Sequence, residues 1–127
     1  FDLTAYYEDE MGQGLKRKFI SFRKPAGLER MAEVKRFTSN AEKKFSRGGR
    51  RRINMDPGFI TYSKLVLLTT KDYSHRIYLG GGIYAEVTLS YSGGAFRPLP
   101  WTYPDYRTRE YIDFFTGVRK NLKGAAC

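Results

Sequence analysis

Two stretches of the chain have apolar side chains at the three- and four-residue spacing of one helix face. The first runs from Leu28 to Phe45 and is followed by Gly48 and Gly49, which suit the positive backbone angle of a C-terminal cap. The second follows Thr108, a residue type that caps helix N-termini, and continues to residue 122. The sequence therefore predicts two helices.

Between these helices the pattern becomes typical of strands. The segments "HRIYL" and "IYAEVTLSY" flank Gly80-Gly81-Gly82 and predict a hairpin. The segment "FITYSKLVLLTTKD" follows an Asp-Pro-Gly turn and fits a strand at residues 59–70, although a helix there would also bury Leu65 and Leu68 together. The alternating segment "LKRKFISF" (15–22) predicts a strand, and the Pro-rich segment 92–107 predicts an irregular loop.

This order of elements predicts one α+β domain over residues 1–127. We expect a mainly antiparallel sheet with the two helices on one face. A ferredoxin-like plan is expected if one further strand and helix precede the chain. The 127 residues suffice for one core, and 41% hydrophobic and 16% aromatic residues are typical of a folded domain.

Charge is the feature of the composition that bears most on partners. The chain has 23 Lys and Arg against 13 Asp and Glu, a formal net charge of +10, which favours RNA or a small anionic ligand. The single cysteine, Cys127, excludes an internal disulfide and a cysteine-rich zinc site, and it favours a cytoplasmic location. No apolar run approaches the ~20 residues of a membrane helix, and no motif indicates a cofactor.

The densest positive charge lies between residues 43 and 52. Its six basic residues are Lys43, Lys44, Arg47, Arg50, Arg51 and Arg52. They suit contacts with RNA phosphates, and they equally suit a helix C-terminus followed by a solvated turn. A second group mixes aromatic and basic side chains, namely Trp101, Tyr103, Tyr106, Arg107 and Arg109. This group suits base stacking, and it equally suits anchoring of the Pro-rich loop to the core.

The only histidine, His75, is the candidate catalytic base. The candidate carboxylates for orienting it are Asp56, Asp72, Glu86 and Asp105. The enzymatic hypothesis takes His75 with Asp56 or Asp105 as base and acid. The alternative is a hydrogen-bonded histidine at the start of a strand. Because neighbours on a strand point to opposite faces, His75 and Arg76 are not expected to share one site.

Arg76 is the candidate clamp for a phosphate or a carboxylate, together with Lys71 and Lys64. The alternative is a cross-strand pair between Arg76 and Glu86, since both lie five residues from Gly81 at the centre of the turn. The pairing is favoured over the clamp. The full set of candidate ligand-binding residues is Arg76, Lys71, Glu86, Trp101, Tyr103 and Arg107.

Metal binding has little support in the sequence. One histidine without a His-x-x-x-His or Cys-x-x-Cys spacing offers no transition-metal site. A hard-ion site on Asp56, Glu86 and Asp105 is the weaker alternative. We therefore predict no metal.

Three long motifs, "INMDPGFIT", "LTTKDYSHRIYLGGGIYAEVTL" and "PLPWTYPDYRTREYIDFF", resemble an uncharacterised prokaryotic family, domain of unknown function four-four-one-six. The resemblance also includes the opening "FDLTAYYEDEMGQGLKRKF" and covers nearly the whole chain. Family members carry a further strand and helix in front. If these are truly absent, the resemblance implies an uncovered sheet edge that would pair with another chain. If the sequence is only a piece of a longer one, the site could include residues outside it. Some members are labelled GTP-binding, but no Gly-x-x-x-x-Gly-Lys-Ser/Thr loop occurs here.

Three functional hypotheses follow. The favoured one is a non-catalytic module that binds an anionic ligand or RNA through residues 43–52 and 101–109. The second is a small enzyme acting on a phosphorylated or carboxylated metabolite. The third is a protein-interaction or oligomeric structural protein, completed by a second copy or another chain.

Overall fold

The computed structural model describes residues 16–22 and 27–122. Its helices are α1 (Met31–Lys44), preceded by a 3-10 turn (Leu28–Arg30), and α2 (Arg109–Lys120), preceded by a second 3-10 turn (Pro104–Arg107). Its strands are β1 (Gly58–Ile60), β2 (Lys64–Thr69), β3 (Arg76–Gly80), β4 (Ile83–Ser92) and β5 (Ala95–Pro98). Thr108 caps α2 as predicted, because its hydroxyl oxygen accepts the Tyr111 N–H at 3.4 Å.

Strand β4 is the centre of an antiparallel sheet with the order β1-β2-β4-β3. β2 pairs along one edge of β4, while β3 and β5 share the other edge, β3 near the start and β5 near the end. Leu65 and Val66 of β2 face Leu89 and Val87, so Thr88 is an extra residue and forms a bulge. The bulge lies between the parts of β4 that pair with β3 and with β5.

The two helices lie on opposite faces of the sheet. On one face Leu65 belongs to the same buried cluster as Phe115 of α2. On the other face Leu68 clusters with Met31 of α1. Leu65 and Leu68 are three residues apart on one strand, so their side chains point in opposite directions. The α+β class and the antiparallel sheet are confirmed. The prediction that both helices lie on one face of the sheet is wrong, because they lie on opposite faces. The ferredoxin-like plan stays a prediction that the opposite placement does not favour.

Helix α1 buries a face that is partly polar. Met31, Lys35 and Glu42 are buried, whereas Phe37 and Phe45 are 74% and 61% exposed. The apolar spacing predicted the helix correctly, but some of the apolar side chains at that spacing face solvent. Among the described residues no helix is both long and apolar enough to cross a bilayer.

The local predictions between the helices have mixed outcomes. The hairpin with its turn at residues 80–82 is confirmed. The segment 59–70 is extended as predicted, but it is divided into two strands, β1 and β2, instead of one. Residues 16–22 form no strand; Phe19 packs against Tyr111 of α2 instead, with ring centroids 4.6 Å apart, and residue 15 lies outside the described part of the chain. The segment 92–107 is not wholly irregular, because it contains β5, whose proline stands at the strand end where no N–H is needed.

Candidate functional site

Arg76 and Glu86 face each other across β3 and β4, as their equal distance from the turn predicts. The guanidinium donates to Glu86 Oε2 through Nε at 2.8 Å and through Nη2 at 2.7 Å. Both side chains are buried. The Thr88 hydroxyl at the bulge lies 3.2 Å from the other carboxylate oxygen, Oε1. The carboxylate is therefore held on both oxygens, as a buried charge must be.

His75 reaches the same carboxylate. Its Nε2 lies 2.9 Å from Glu86 Oε2. A carboxylate only accepts, so in the neutral imidazole Nε2 carries the hydrogen. The expectation that His75 and Arg76 would not share a site is wrong, because His75 lies in the turn before β3 and does not follow the alternation of the strand.

The remaining contacts of Arg76 leave little of it for a ligand. Its Nη1 donates to the Lys71 carbonyl oxygen at 3.1 Å, and its guanidinium carbon lies 4.2 Å from the centroid of the Tyr73 ring. With Nε and Nη2 on Glu86, every nitrogen of the guanidinium is engaged. The geometry supports the cross-strand pair over the anion clamp, and Lys71 enters through its backbone oxygen.

Trp101 stacks on His75 with ring centroids 4.6 Å apart and ring planes at 16°. Its indole N–H donates to the Val87 carbonyl oxygen at 2.8 Å, and the Thr102 hydroxyl donates to the Thr88 carbonyl oxygen. The Pro-rich loop thus satisfies two carbonyls at the bulge of β4. Trp101 is 37% exposed all the same.

Arg107 and Tyr103 have different places in this loop. Arg107 donates through Nε to the Thr102 carbonyl oxygen and through Nη2 to the Leu99 carbonyl oxygen, each at 2.8 Å. Its guanidinium therefore stabilises the loop. Tyr103 is exposed. Of the predicted ligand-binding set, Arg76, Glu86 and Trp101 come together around His75.

Asp105 is paired with Arg17 and not with His75. Arg17 Nη1 lies 2.9 Å from Asp105 Oδ2. Burial lowers the pKa of Arg17, but Tyr106, Tyr111 and the carboxylates raise it by more, so the pKa lies above its ordinary value. Burial raises the pKa of Tyr106, and the charge of Asp56 raises it further. Burial likewise raises the pKa of Tyr111, against an opposing effect of Arg17.

The predicted acid–base set is therefore divided. Asp56 and Asp105 both act electrostatically on Arg17, whereas the carboxylate in contact with His75 is Glu86. Glu86 was among the carboxylates that the sequence offered as partners of His75, but no spacing in the sequence distinguished it from the others. Within residues 16–22 and 27–122, no three acidic, histidine or cysteine side chains come together as a metal-binding group, so Asp56, Glu86 and Asp105 do not form a hard-ion site there.

A second surface is built where α1 ends. Two buried side chains of α1 hold the backbone of Met55: Glu42 Oε2 accepts its N–H at 2.6 Å and Lys35 Nζ donates to its carbonyl oxygen at 3.4 Å. Glycines 48 and 49 turn the chain back through positive φ angles of 58° and 74°. Arg47 and Arg50 close this turn with two backbone hydrogen bonds of 2.9 and 3.0 Å.

Between the helix end and the returning segment lies a shallow groove of about 380 Å³, which we call the basic groove. Its lining residues are Lys44, Phe45, Ser46, Arg47, Arg52 and Ile53. Three of the six predicted cations thus line one concave surface together with two exposed apolar side chains. The sequence did not indicate that Phe45 and Ile53 line this groove: helical spacing assigned Phe45 to the apolar face of the first helix, and no pattern singled out Ile53.

The other three predicted cations do not line the groove but lie close in sequence to residues that do. Lys43 and Arg50 are exposed. Arg51 is half-buried and donates through Nη1 to Asn54 Oδ1 at 2.9 Å. Arg51 therefore has a local structural contact in addition to any ligand role.

Comparison with known protein families gives a match over most of the chain. The sequence model of a family described as domain of unknown function (DUF4416) matches residues 1–122. The chain belongs to the DUF4416 family. The suspected resemblance is confirmed, and the family description assigns no activity. No curated protein and no solved structure matches the chain significantly.

Proposed function

We propose that this DUF4416 domain binds single-stranded RNA through the basic groove. Proteins that bind single strands without sequence preference combine a cationic groove for the backbone with aromatic side chains on which bases stack. The basic groove has both parts. The observation that carries the proposal is the position of Phe45, 61% exposed, among Lys44, Arg47 and Arg52.

Electrostatics supports the same function. The formal net charge of +10 favours encounter with polyanions over the whole surface, while the groove supplies a local concentration of cations. A flexible single strand offers phosphates and base faces together, so it would satisfy both kinds of side chain.

The test is fluorescence anisotropy of a labelled single-stranded RNA over a salt series. The triple variant Lys44→Gln/Arg47→Gln/Arg52→Gln should weaken binding, and its salt slope should fall by about 2, because each phosphate that a cation neutralises contributes ~0.7 to the slope. The matched control Lys16→Gln/Lys18→Gln/Lys120→Gln removes the same charge from exposed positions outside the groove and should keep most of the slope. Equal slopes in the two variants would reject the groove as the site.

A mononucleotide competitor distinguishes RNA from a small anionic ligand. Displacement of the RNA by a mononucleotide at low concentration would indicate a discrete pocket instead of a strand-binding groove. The enzymatic hypothesis and the oligomeric hypothesis stay predictions. The contact between His75 and Glu86 supports the first of them, and loss of a measured turnover in His75→Ala would test it.

A further inference from the structure

The network around Glu86 ends at the protein surface in a fixed pair of rings. It runs from the Lys71 carbonyl through Arg76 and Glu86 to His75, whose imidazole stacks on Trp101. A buried ion pair is costly to desolvate, and an apolar pair would close a hairpin as well. The network has a second effect that an apolar pair would not have, since it fixes the plane of the imidazole.

Trp101 is fixed in turn. The His75 imidazole covers one side of the indole. The hydrogen bond from the indole N–H to the Val87 carbonyl oxygen prevents rotation of the indole. The loop does not need the rest of the indole for anchoring, because Thr102 and Arg107 already hold it. The indole therefore presents a rigid, partly exposed aromatic surface, which is the kind of site that binds at low entropic cost.

We propose that the exposed part of Trp101 is a stacking site for a nucleobase. The inference rests on the proposed function in its choice of a nucleotide as ligand, but it concerns a different surface. Stacking of a base on an aromatic side chain contributes substantially to affinity and tolerates any base. The exposed ring of Tyr73 lies 6.1 Å from the imidazole on which Trp101 stacks, and the exposed Tyr103 is two residues from Trp101 in the sequence. The positive charge of the domain favours the phosphate that a nucleotide carries.

Trp101 is the only tryptophan in the chain, so its fluorescence reports this site directly. We would titrate the domain with adenosine 5′-monophosphate and with ribose 5-phosphate, which lacks the base. The nucleotide should change the emission in a saturable way and bind about fivefold or more tightly than the sugar phosphate. Equal affinities of the two ligands, or no saturable change at millimolar nucleotide, would overturn the proposal.

Variants separate this site from the basic groove. Lys44→Gln/Arg47→Gln/Arg52→Gln should lose RNA affinity but keep the response to the nucleotide, so either proposal can fail alone. Trp101→Leu, measured by equilibrium dialysis, should lose the nucleotide's advantage over ribose 5-phosphate, and retention of that advantage would overturn the stacking site. His75 is a positioning residue here, so His75→Ala should reduce the same ratio while leaving the affinity for ribose 5-phosphate unchanged.

Discussion

Arg76 and Glu86 lie directly opposite each other on β3 and β4, and one oxygen of Glu86 accepts two hydrogen bonds from the guanidinium, at 2.7 and 2.8 Å. The same oxygen lies 2.9 Å from His75 Nε2. Glu86 is 2% exposed, so water does not replace any partner that is removed. This carboxylate therefore joins the hairpin, the turn before it and, through His75, the Pro-rich loop.

Removal of the Glu86 charge should destabilise the domain strongly. Glu86→Gln keeps the size of the side chain but leaves the Arg76 cation buried without its counter-charge, which typically costs about 3–5 kcal/mol of the free energy of unfolding. Urea unfolding measures the change. The matched control is Glu33→Gln, whose partner Arg30 is exposed, and it should change stability by less than about 1 kcal/mol.

A double variant checks the physical reason for that destabilisation. Arg76→Met/Glu86→Leu removes both charges together, so it should recover much of the stability that Glu86→Gln removes. If the double variant is as unstable as the single one, an unpaired charge is not the cause. Packing of the side chains would then explain the effect.

The symmetry of the hairpin about its turn made the pairing of Arg76 with Glu86 predictable, whereas the expectation for the preceding residue, His75, was wrong. Equal offsets from Gly81 give the register of a hairpin, which is why Arg76 and Glu86 could be matched from the sequence. The alternation rule applies only inside a strand, and His75 stands in the turn before β3. The stack of His75 on Trp101 joins distant parts of the chain through the gap between β3 and β5, which no local pattern encodes.

The basic groove was predictable in charge but not in shape. The run of cations is visible in the sequence, whereas the exposure of Phe45 depends on how α1 is rotated about its axis. That rotation places Lys35 and Glu42 towards Met55, a contact between a helix and a loop that helical spacing does not reveal. The pairing of Arg17 with Asp105 was not predicted either, because it joins segments far apart in the chain.

Burial of Tyr106 should make the domain less stable at high pH. Burial raises the pKa of the phenol in the folded state above the value of 10.0 expected for an unfolded chain. The stability from this neutral phenol is fully present below pH 10 and is lost as the pH rises towards the folded-state pKa, because the unfolded chain releases its proton first. Tyr106→Phe removes the ionisation and should flatten the decline by up to about 1.4 kcal/mol per pH unit above pH 10.

Urea midpoints measured from pH 8 to 11 test this prediction. Other groups also titrate in this range, so the difference between the wild type and Tyr106→Phe is the informative quantity. Below pH 9 that difference should be constant, and above pH 10 it should shift in favour of the variant. A constant difference over the whole range would show that Tyr106 does not ionise differently in the folded and unfolded states.

Glu42 separates the effect of groove shape from that of charge. Glu42→Leu raises the net charge by one, so charge alone would strengthen RNA binding. The variant also removes the acceptor of the Met55 N–H, which leaves a partly buried donor unpaired at a cost of about 1–3 kcal/mol and releases the segment that carries Arg52 and Ile53. We expect weaker RNA binding in the anisotropy assay despite the higher charge.

The control for that experiment is Glu33→Leu, on the exposed side of the same helix, which adds the same charge without touching Met55. It should bind RNA as well as the wild type or slightly better, because it raises the net positive charge of the domain and leaves the groove intact. Opposite changes in the two variants would mean that the held position of residues 52–55 contributes to binding. Equal increases would mean that RNA responds only to net charge, and the basic groove would then have no specific role.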